Sequence, residues 1–285
     1  MMSIGQMYSV FKLRIGISIA ASAVAGAVAM PAGPGGAKLA MLAIMVLAAS
    51  AAAGAFNQLV ERDLDARMAR TRRRPFVTGE LRAGPAWHIG LALLLAVSTA
   101  AAALELGSVA ALHILLGALV YGVVYTVWLK RRTSWNIVIG GLSGSFAVLA
   151  GAAVVDPVPT PTVALLALVL FLWTPPHFWS LAMARRDDYA AAAVPMLPLV
   201  VGDRCAARII FGHAVALVGL SLVPGFIDLG PLYLAAAAAG GAWFVRASWR
   251  LLMHQDRRHA MANFHASLVQ LSLVLVGIFA AAAWR

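Results

Sequence analysis

The feature that most constrains the fold is a series of nine apolar segments, each about as long as a membrane-crossing helix. Such a helix needs about 20 mostly apolar residues. The segments lie at approximately 11–30, 39–60, 86–104, 108–128, 137–155, 162–183, 208–227, 231–252 and 264–283. Because hydrocarbon cannot satisfy an open backbone, segments of this length predict helices. We therefore expect an all-α integral membrane protein with nine transmembrane helices.

The composition supports this class of protein. The chain is 62% apolar and 12% charged, whereas soluble domains are about 45–50% apolar and about 25% charged. A net charge of +11 could indicate nucleic-acid binding, but the basic residues are confined to short segments between apolar runs. We therefore expect the lipid bilayer, and no nucleic acid, as a partner. No polar linker is long enough to separate domains, so residues 1–285 are predicted to form one transmembrane domain.

The distribution of basic residues predicts the orientation. With the N-terminus in the cytoplasm, 20 of the 22 Lys and Arg residues fall on the cytoplasmic side, and only Lys38 and Arg285 fall elsewhere. Such a bias is typical of cytoplasmic loops. It places the C-terminus outside and three charged loops, at about 57–85, 128–136 and 184–208, on the cytoplasmic side.

The first segment also has features of a cleavable signal peptide. It has a basic start, an apolar middle and small residues near its end, and these three features mark secretory signals. However, the apolar stretch is close to spanning length. We therefore interpret it as a retained first helix.

An acidic cluster follows the second segment. Asn57, Glu61 and Asp65 are spaced i, i+4 and i+8, so on a helix they share one face. Their oxygen atoms suit Mg²⁺, which binds one or two carboxylates and keeps positions for water and substrate phosphate. Asp63 should point elsewhere and pair with a neighbouring arginine.

Two simpler interpretations apply to this region. The acidic cluster could be a solvated helix end with ion pairs to Arg62 and Arg67, although carboxylates at the mouth of a membrane bundle are costly and usually functional. The basic run that follows, at 67–74, could fix the topology and contact anionic lipid. Alternatively, its arginines could bind a diphosphate through paired hydrogen bonds.

A second cytoplasmic loop repeats the mixture of charges. The loop at 184–204 combines three aspartates with three arginines: Asp187, Asp188, Asp203, Arg185, Arg186 and Arg204. It predicts a second acidic site on the other side of a diphosphate.

The stretch "YTVWLKRRTSWN" (125–136) offers Lys130 and Arg131 to phosphate. The rings of Tyr121, Tyr125 and Trp128 could face a cation or an isoprenoid chain. The same rings could instead be membrane-interface residues.

Together these segments resemble the membrane-embedded prenyltransferases of the UbiA superfamily, and within it the protohaem IX farnesyltransferases. The spacing of Asn57, Glu61 and Asp65 looks like the family's N-x-x-x-[DE]-x-x-x-D motif. "RMARTRRRP" (67–75), "YTVWLKRRTSWNIVIGG" (125–141) and "WTPPHFWSLAMARRDDYAAAAVPMLP" (173–198) resemble three further family segments, in the family's order. The likeness covers roughly residues 8–205.

The chain departs from the family pattern at two places. Lys12-Leu13-Arg14 stands where relatives usually have Lys-Pro-Arg. The second aspartate motif of the wider superfamily, D-x-x-x-D, is incomplete, since Ala184 lies four residues before Asp188.

The resemblance implies a UbiA-type helical bundle that transfers the farnesyl group of farnesyl diphosphate to a vinyl group of protohaem IX (haem B), with addition of water. It implies Mg²⁺ as cofactor and three sets of site residues. These are catalytic Lys130, Tyr125, Arg70 and Arg74; substrate-binding Lys12, Arg14, Arg131, Asn136, His177 and Tyr189; and metal-binding Asn57, Glu61, Asp65, Asp187 and Asp188.

His177, in "TPPHFW", is the histidine predicted to be an axial ligand or an edge contact of haem. Pro175 and Pro176 beside it are expected to break the helix. Broken helices inside a membrane usually line cavities, so this break would place His177 at a cavity. The alternative is a structural histidine held by a hydrogen bond.

The implied location is the bacterial inner membrane, and the implied partners include haem A synthase or the assembly of a terminal oxidase. One alternative is a UbiA-type enzyme that prenylates a hydroxybenzoate, quinone or chlorophyll precursor. Another is a transporter, although transporter ion sites usually lie near the bilayer midplane.

Overall fold

The computed structural model describes residues 2–284, and every regular element in that range is helical. Arg285, predicted to lie outside the cell, falls beyond the described residues. The α-helices are α1 (Ile4–Val10), α2 (Leu13–Val28), α3 (Gly36–Val60), α4 (Arg62–Arg67), α5 (Pro75–Thr78), α6 (Pro85–Glu105), α7 (Ser108–Leu119), α8 (Asn136–Gly140), α9 (Leu142–Ala153), α10 (Pro161–Ala184), α11 (Arg186–Ala191), α12 (Leu197–Val201), α13 (Asp203–Pro224), α14 (Gly230–His254) and α15 (Arg257–Trp284). Two π-helical segments are Val120–Leu129 and Gly225–Leu229.

The long helices follow the predicted spans. Within residues 2–284, seven helical segments are long and apolar enough to cross a membrane, or eight if α1 and α2, which meet at a bend of 58°, form one span. One of the seven is the 52-residue stretch Asp203–His254, which is far longer than a single crossing requires. The chain is therefore a multi-pass membrane protein.

The 52-residue stretch folds back on itself. The ring of Phe211 on α13 lies 5.5 Å from that of Trp249 on α14, and the Tyr233 hydroxyl on α14 donates to the Ser221 carbonyl on α13 at 2.7 Å. Early residues of one helix thus meet late residues of the other, so the stretch contains two antiparallel helices. The number of crossings and the side of the N-terminus stay predictions.

Two helices begin earlier than predicted. α13 begins at Asp203 and α15 at Arg257, whereas the apolar segments begin near 208 and 264. Both added stretches are rich in Arg and Ala, which have high helix propensity. A helix can therefore extend past the apolar boundary into water.

The bundle consists of two connected groups of helices. α2 packs against α3 and α9, and α7 packs against α6 and α9, while α10, α13, α14 and α15 form the second group. Contacts of α9 with α10 and of α15 with α2 join the groups. α2 buries Ala20, Ala23 and Ala27 in this bundle.

α2 and α9 cross with their backbones in contact. A Cβ atom added at Gly151 would lie 1.8 Å from the Ala23 carbonyl oxygen, and one added at Gly26 would lie 2.1 Å from the Val148 carbonyl oxygen. Small residues permit such close approach in membranes, where packing replaces the hydrophobic effect as the main attraction. The crossing therefore requires glycine at both positions.

The helix that begins as α7 changes its winding in Val120–Leu129. There, Lys130 N–H donates to the Tyr125 carbonyl at 2.9 Å, five residues back. The Thr126 hydroxyl donates to the Tyr121 carbonyl at 2.8 Å. π-Helical turns are rare and occur often at functional sites. This one ends at Lys130, one of the predicted site residues.

Candidate active site

The three charged loops meet at one end of the bundle, which we call the charged end. Arg131 donates from Nη1 and Nη2 to the two carboxylate oxygens of Asp63, both at 2.7 Å. The Ala69 N–H donates to Asp188 Oδ1 at 2.8 Å. The first loop therefore contacts both of the others. The partner of Asp63 is therefore Arg131, which lies on a distant loop, and not an arginine close to Asp63 in the sequence.

Asn57, Glu61 and Asp65, the oxygen triad, lie together below the surface. Their exposed fractions are 2%, 2% and 3%. The helix breaks at Glu61, but Glu61 N–H still donates to the Asn57 carbonyl at 3.0 Å and Asp65 N–H to the Glu61 carbonyl at 2.8 Å. These bonds continue the α-helical pattern across the break and keep the three side chains on one face.

Asn57 is held by one residue of the π-helical segment and one residue of the turn between α1 and α2. Its side-chain N–H donates to Thr126 Oγ1 at 2.9 Å, and its Oδ1 accepts from Lys12 Nζ at 2.5 Å. Lys12 also donates to the Tyr121 hydroxyl at 2.9 Å. Lys12 has a left-handed backbone with φ of 49°, a conformation that is costly for a non-glycine residue and clusters at functional sites. Sequence reasoning missed Thr126, because its contact with Asn57 depends on the π-helical winding.

Each carboxylate of the triad has its own cation. Lys130 Nζ donates to Glu61 Oε2 at 2.5 Å, and Arg74 Nη1 donates to Asp65 Oδ2 at 2.7 Å. The Thr71 hydroxyl donates to the Asp65 carbonyl at 3.0 Å. Glu61 Oε1 is buried without a hydrogen-bond partner among the described residues. One carboxylate oxygen is thus available to a ligand.

The triad is not a solvated helix end. Its side chains are buried, and their cationic partners come from the turn between α1 and α2, from the loop after α4 and from the end of the π-helical segment. Arg62 and Arg67, the partners in the simpler interpretation, are both exposed. Buried carboxylates that pair with cations from distant segments are typical of functional sites and not of a solvent-exposed helix end.

The donor set fits a hard divalent cation. It offers two carboxylates and one amide oxygen, which are the ligand types that Mg²⁺ prefers, and Glu61 Oε1 has no hydrogen-bond partner among the described residues. Within residues 2–284, no three His, Cys, Asp or Glu side chains are grouped to hold a metal by themselves. The amide of Asn57 is therefore essential to any three-ligand set.

Aromatic rings lie beside the triad. Tyr121 and Tyr125 are stacked, with centroids 5.7 Å apart and planes 15° from parallel. Lys130 Nζ lies 5.6 Å from the Tyr125 centroid. Trp128 and Trp135 are 54% and 65% exposed, which agrees with the alternative of membrane-interface residues.

The second acidic loop mostly binds to itself and to the first loop. Asp187 is exposed, and Asp188 accepts the Ala69 N–H described above. Arg186 forms an ion pair with Asp203 and Tyr189 is buried in an apolar cluster. No described contact joins Asp187 or Asp188 to the triad, so their role as metal ligands stays a prediction.

The remaining predicted residues divide between surface and interior. Arg14 and Arg70 are exposed, and Arg131 is occupied by Asp63. That pairing holds the pKa of the Asp63 carboxyl below its usual value, chiefly through the side-chain hydrogen bond. Asn136 is fully buried. Its side-chain N–H donates to the backbone carbonyl of Thr133 at 2.5 Å, and its Oδ1 has no hydrogen-bond partner among the described residues.

His177 lies inside the second group of helices. Its Nδ1 is 2.7 Å from the Ser267 hydroxyl. Its ring is stacked between Trp173 and Phe264, at centroid distances of 4.1 and 4.4 Å. These are the contacts of a structural histidine, which was the alternative interpretation. A role in haem binding stays a prediction.

Pro175 and Pro176 do not break the helix, and this prediction was wrong. α10 continues through both prolines to Ala184. The Thr174 hydroxyl donates to the Leu170 carbonyl at 3.1 Å, and the Ser180 hydroxyl donates to the Pro176 carbonyl at 2.6 Å. Neither hydroxyl bonds to the carbonyls at 171 and 172, which lose their usual N–H donors to the prolines. Prolines are tolerated in membrane helices that neighbouring helices support, and α10 packs against α9, α13 and α15.

Comparisons with known proteins identify the family of this chain. The model of the "UbiA prenyltransferase family" matches residues 18–283. "Protoheme IX farnesyltransferase 2" of Paramagnetospirillum magneticum is 58% identical over 271 residues, covering 95% of this chain and 94% of the relative. "Protoheme IX farnesyltransferase 1" of the same organism is 46% identical, covering 99% of this chain and 100% of the relative.

Solved structures share the fold at low sequence identity. A digeranylgeranylglyceryl phosphate synthase has a TM-score of 0.80 at 17% identity, with 99% of each chain covered. A UbiA homologue from Archaeoglobus fulgidus, bound to DMAPP and Mg²⁺, has a TM-score of 0.73 at 14% identity, covering 98% of this chain and 100% of that one. The all-helical fold, the matched family model and the near-full-length relatives agree, and this chain belongs to the UbiA prenyltransferase family.

Proposed function

We propose that this chain transfers the farnesyl group of farnesyl diphosphate to a vinyl group of protohaem IX, giving haem O and diphosphate after addition of water. The observation that carries the proposal is the 58% identity, over 95% of the chain, to a relative named protoheme IX farnesyltransferase. The buried triad with its cations supplies the chemistry that such a transfer needs.

The triad is the proposed Mg²⁺ site, with Glu61 Oε1 as the oxygen most in need of a cation. When bound, Mg²⁺ supplies a doubly charged Lewis acid that stabilises negative charge on the diphosphate. The Mg²⁺ bound by the A. fulgidus homologue together with a prenyl diphosphate supports this assignment. Asp187 and Asp188 are proposed to contribute to the same diphosphate site from the second loop.

Lys130 and Arg74 are proposed to stabilise the leaving group. The bond between C1 of the farnesyl chain and its oxygen breaks, and the electron pair leaves with the diphosphate. Both side chains already lie against the triad carboxylates, so they are positioned before reaction, as electrostatic stabilisation requires. Lys12, Arg14, Arg70 and Arg131 are proposed to bind the remaining phosphate charge.

Tyr121 and Tyr125 are proposed to face the allylic cation that forms. Stacked rings offer electron-rich faces to a cation, and Tyr125 lies close to Lys130. The haem vinyl group then attacks C1 of the farnesyl chain. Water adds its oxygen to the resulting cation on the porphyrin side and releases a proton. Asn136, His177 and Tyr189 are proposed to line the substrate site.

The remaining assignments belong to the same proposal. We propose one transmembrane prenyltransferase domain over residues 1–285, with catalytic loops at about 57–85, 128–136 and 184–208 facing the cytoplasm. The location is the bacterial inner membrane, which the bacterial relatives support. A haem A synthase or the assembly of a terminal oxidase would receive the product.

Expression in a bacterial strain that lacks haem O tests the reaction. We expect the extracted haems to contain a species whose mass equals haem B plus a farnesyl group and a hydroxyl group. Absence of this species, with folded protein present in the membrane, would refute the proposed function. Turnover of a hydroxybenzoate by the purified protein would instead favour the alternative prenyl acceptor.

Removal of the metal tests the triad assignment. Treatment of the purified enzyme with EDTA should lower the turnover more than a hundredfold, because the departing charge loses its divalent counterion. Added Mg²⁺ should restore the rate, whereas added Ca²⁺, which prefers longer bonds and more ligands, should restore less. A rate unaffected by EDTA would remove Mg²⁺ from the proposal.

A further inference from the structure

The side-chain amide of Asn57 has a partner on each of its polar atoms. Asn57 is buried, its Oδ1 accepts from Lys12 Nζ at 2.5 Å, and its Nδ2 donates to Thr126 Oγ1 at 2.9 Å. Of these two atoms only the oxygen can bind a metal ion, because the amide nitrogen is a hydrogen-bond donor. The orientation of the amide therefore decides whether Asn57 can act as a ligand.

The hydrogen atoms of the two partners fix that orientation. Lys12 Nζ carries only donors, so the amide atom that it contacts must be the oxygen. The Thr126 hydroxyl has a single hydrogen atom, which it donates to the Tyr121 carbonyl at 2.8 Å. Thr126 Oγ1 can therefore offer only a lone pair to Asn57, and it must face the amide nitrogen. Both contacts require the same orientation.

The acceptor role of Thr126 depends on the π-helical segment Val120–Leu129. The carbonyl that receives its hydroxyl hydrogen lies five residues back, at Tyr121, which is the spacing of π-helical bonds. In an α-helix a threonine hydroxyl usually bonds to a carbonyl three or four residues back. Thr126 is 0% exposed, so bulk solvent does not compete for the hydroxyl. The segment thus holds a fixed acceptor beside the oxygen triad.

Thr126 holds the side of the amide that a metal ion leaves untouched. Within residues 2–284 it is the sole hydrogen-bond partner of Asn57 Nδ2. A metal ion would bind the oxygen that Lys12 contacts, so the Lys12 contact must change when the ion enters. The contact between Thr126 and the amide nitrogen is compatible with both the metal-free and the metal-bound site.

We propose that Thr126 is a positioning residue, which directs the oxygen of the Asn57 amide toward the metal of the oxygen triad. Without the Thr126 hydroxyl, the buried amide nitrogen loses its partner, and rotation of the amide by half a turn would bring nitrogen toward the metal. Partners that orient a ligand without touching the metal typically change the metal affinity by about 10- to 100-fold. The inference rests on the proposed function, since that function makes the triad a Mg²⁺ site.

Metal binding by the purified full-length chain in detergent tests this role. Mn²⁺, which shares the preference of Mg²⁺ for oxygen ligands, is titrated, and the free ion is followed by electron paramagnetic resonance. Thr126→Val keeps the shape of the side chain but removes the hydroxyl, and it should raise the dissociation constant of Mn²⁺ about tenfold or more. Thr126→Ser retains the hydroxyl and should restore an affinity within about threefold of the wild type.

Thr162→Val is the matched control. It makes the same change at another fully buried threonine, whose hydroxyl donates to Asp228 Oδ1 at 2.8 Å. Thr162 lies roughly 33 Å along α10 from the charged end. This variant should lower the melting temperature and leave the affinity for Mn²⁺ unchanged, because its hydroxyl has no contact with the triad.

A second substitution separates orientation from packing. The two side-chain oxygens in the Asn57→Asp variant are equivalent, so that variant needs no partner to select an orientation. In the Asn57→Asp background, Thr126→Val should therefore raise the dissociation constant of Mn²⁺ by less than about threefold. An equal loss of affinity in both backgrounds would show that Thr126 acts through packing, and would overturn the proposal. Unchanged affinity in Thr126→Val, no rescue by Thr126→Ser, or a wild type that binds no Mn²⁺ would also overturn it.

A parallel assay of haem O formation separates this inference from the proposed function. Thr126→Val should need about tenfold more Mg²⁺ for half its maximal rate, with a rate at saturating Mg²⁺ within about threefold of the wild type. If the wild type forms no haem O but Thr126→Val weakens Mn²⁺ binding as expected, the proposed function fails and the role of Thr126 stands. If the wild type forms haem O and the two proteins bind Mn²⁺ equally, the role of Thr126 fails alone.

Discussion

Replacement of Asp65 by alanine is expected to lower the turnover about a thousandfold or more, while the helical fold is retained. Asp65 is 3% exposed and accepts from Arg74 at 2.7 Å. Its removal deletes one of two carboxylates from the proposed metal site and releases the cation beside the leaving group, and each such loss typically costs orders of magnitude in rate. The measurement is haem O formation by purified enzyme at saturating substrate.

Asp63 provides the matched control for this variant. It lies two residues away on the same helix, but it is exposed and paired with Arg131 instead. Asp63→Asn should therefore reduce turnover by less than about tenfold, a weakened surface ion pair being a small perturbation. Circular dichroism and size-exclusion chromatography check the fold of both variants. An Asp65→Ala enzyme that works within tenfold of the wild type would contradict the metal-site assignment.

The second large effect concerns the crossing of α2 and α9. Gly151→Ala should lower the melting temperature by on the order of 10 °C. The added methyl group would lie 1.8 Å from the backbone oxygen of Ala23, and a backbone atom cannot move aside without separating the helices. The measurement is thermal unfolding of the purified protein in detergent, followed by loss of soluble monodisperse protein.

Gly144→Ala is the matched control for the crossing. It makes the same chemical change on the same helix, but its new methyl group would lie 3.7 Å from the Leu170 side chain, which is an ordinary contact. This variant should melt within a few degrees of the wild type or slightly higher, because alanine restricts the unfolded chain. Equal melting temperatures for the two variants would mean that α2 and α9 are less tightly packed than described.

The sequence predicted those features that depend on local spacing. Span length follows from the thickness of a bilayer, so the bounds of α3, α6 and α10 agree with the apolar segments to within three residues. The shared face of the oxygen triad follows from helical spacing, and its position at the end of the second span followed from the apolar segment before it. Membership of the UbiA prenyltransferase family was likewise indicated by motifs in the chain and confirmed by the comparisons.

The features that sequence reasoning missed depend on distant residues. Thr126 contacts Asn57 across 69 positions of the chain, and no local pattern indicates such a contact. α10 continues through Pro175 where it packs against three neighbouring helices, although proline alone indicates a break.

The π-helical segment Val120–Leu129 has a consequence for how this site can vary among proteins. A π-helix turns less per residue than an α-helix, so its length sets the rotational phase of everything that follows. Lys130 meets Glu61 because the preceding turns are wound in this way, and the same residues in α-helical winding would direct the ammonium group elsewhere. The direction in which Lys130 points thus depends on the winding of the preceding helix as well as on the residue type at that position.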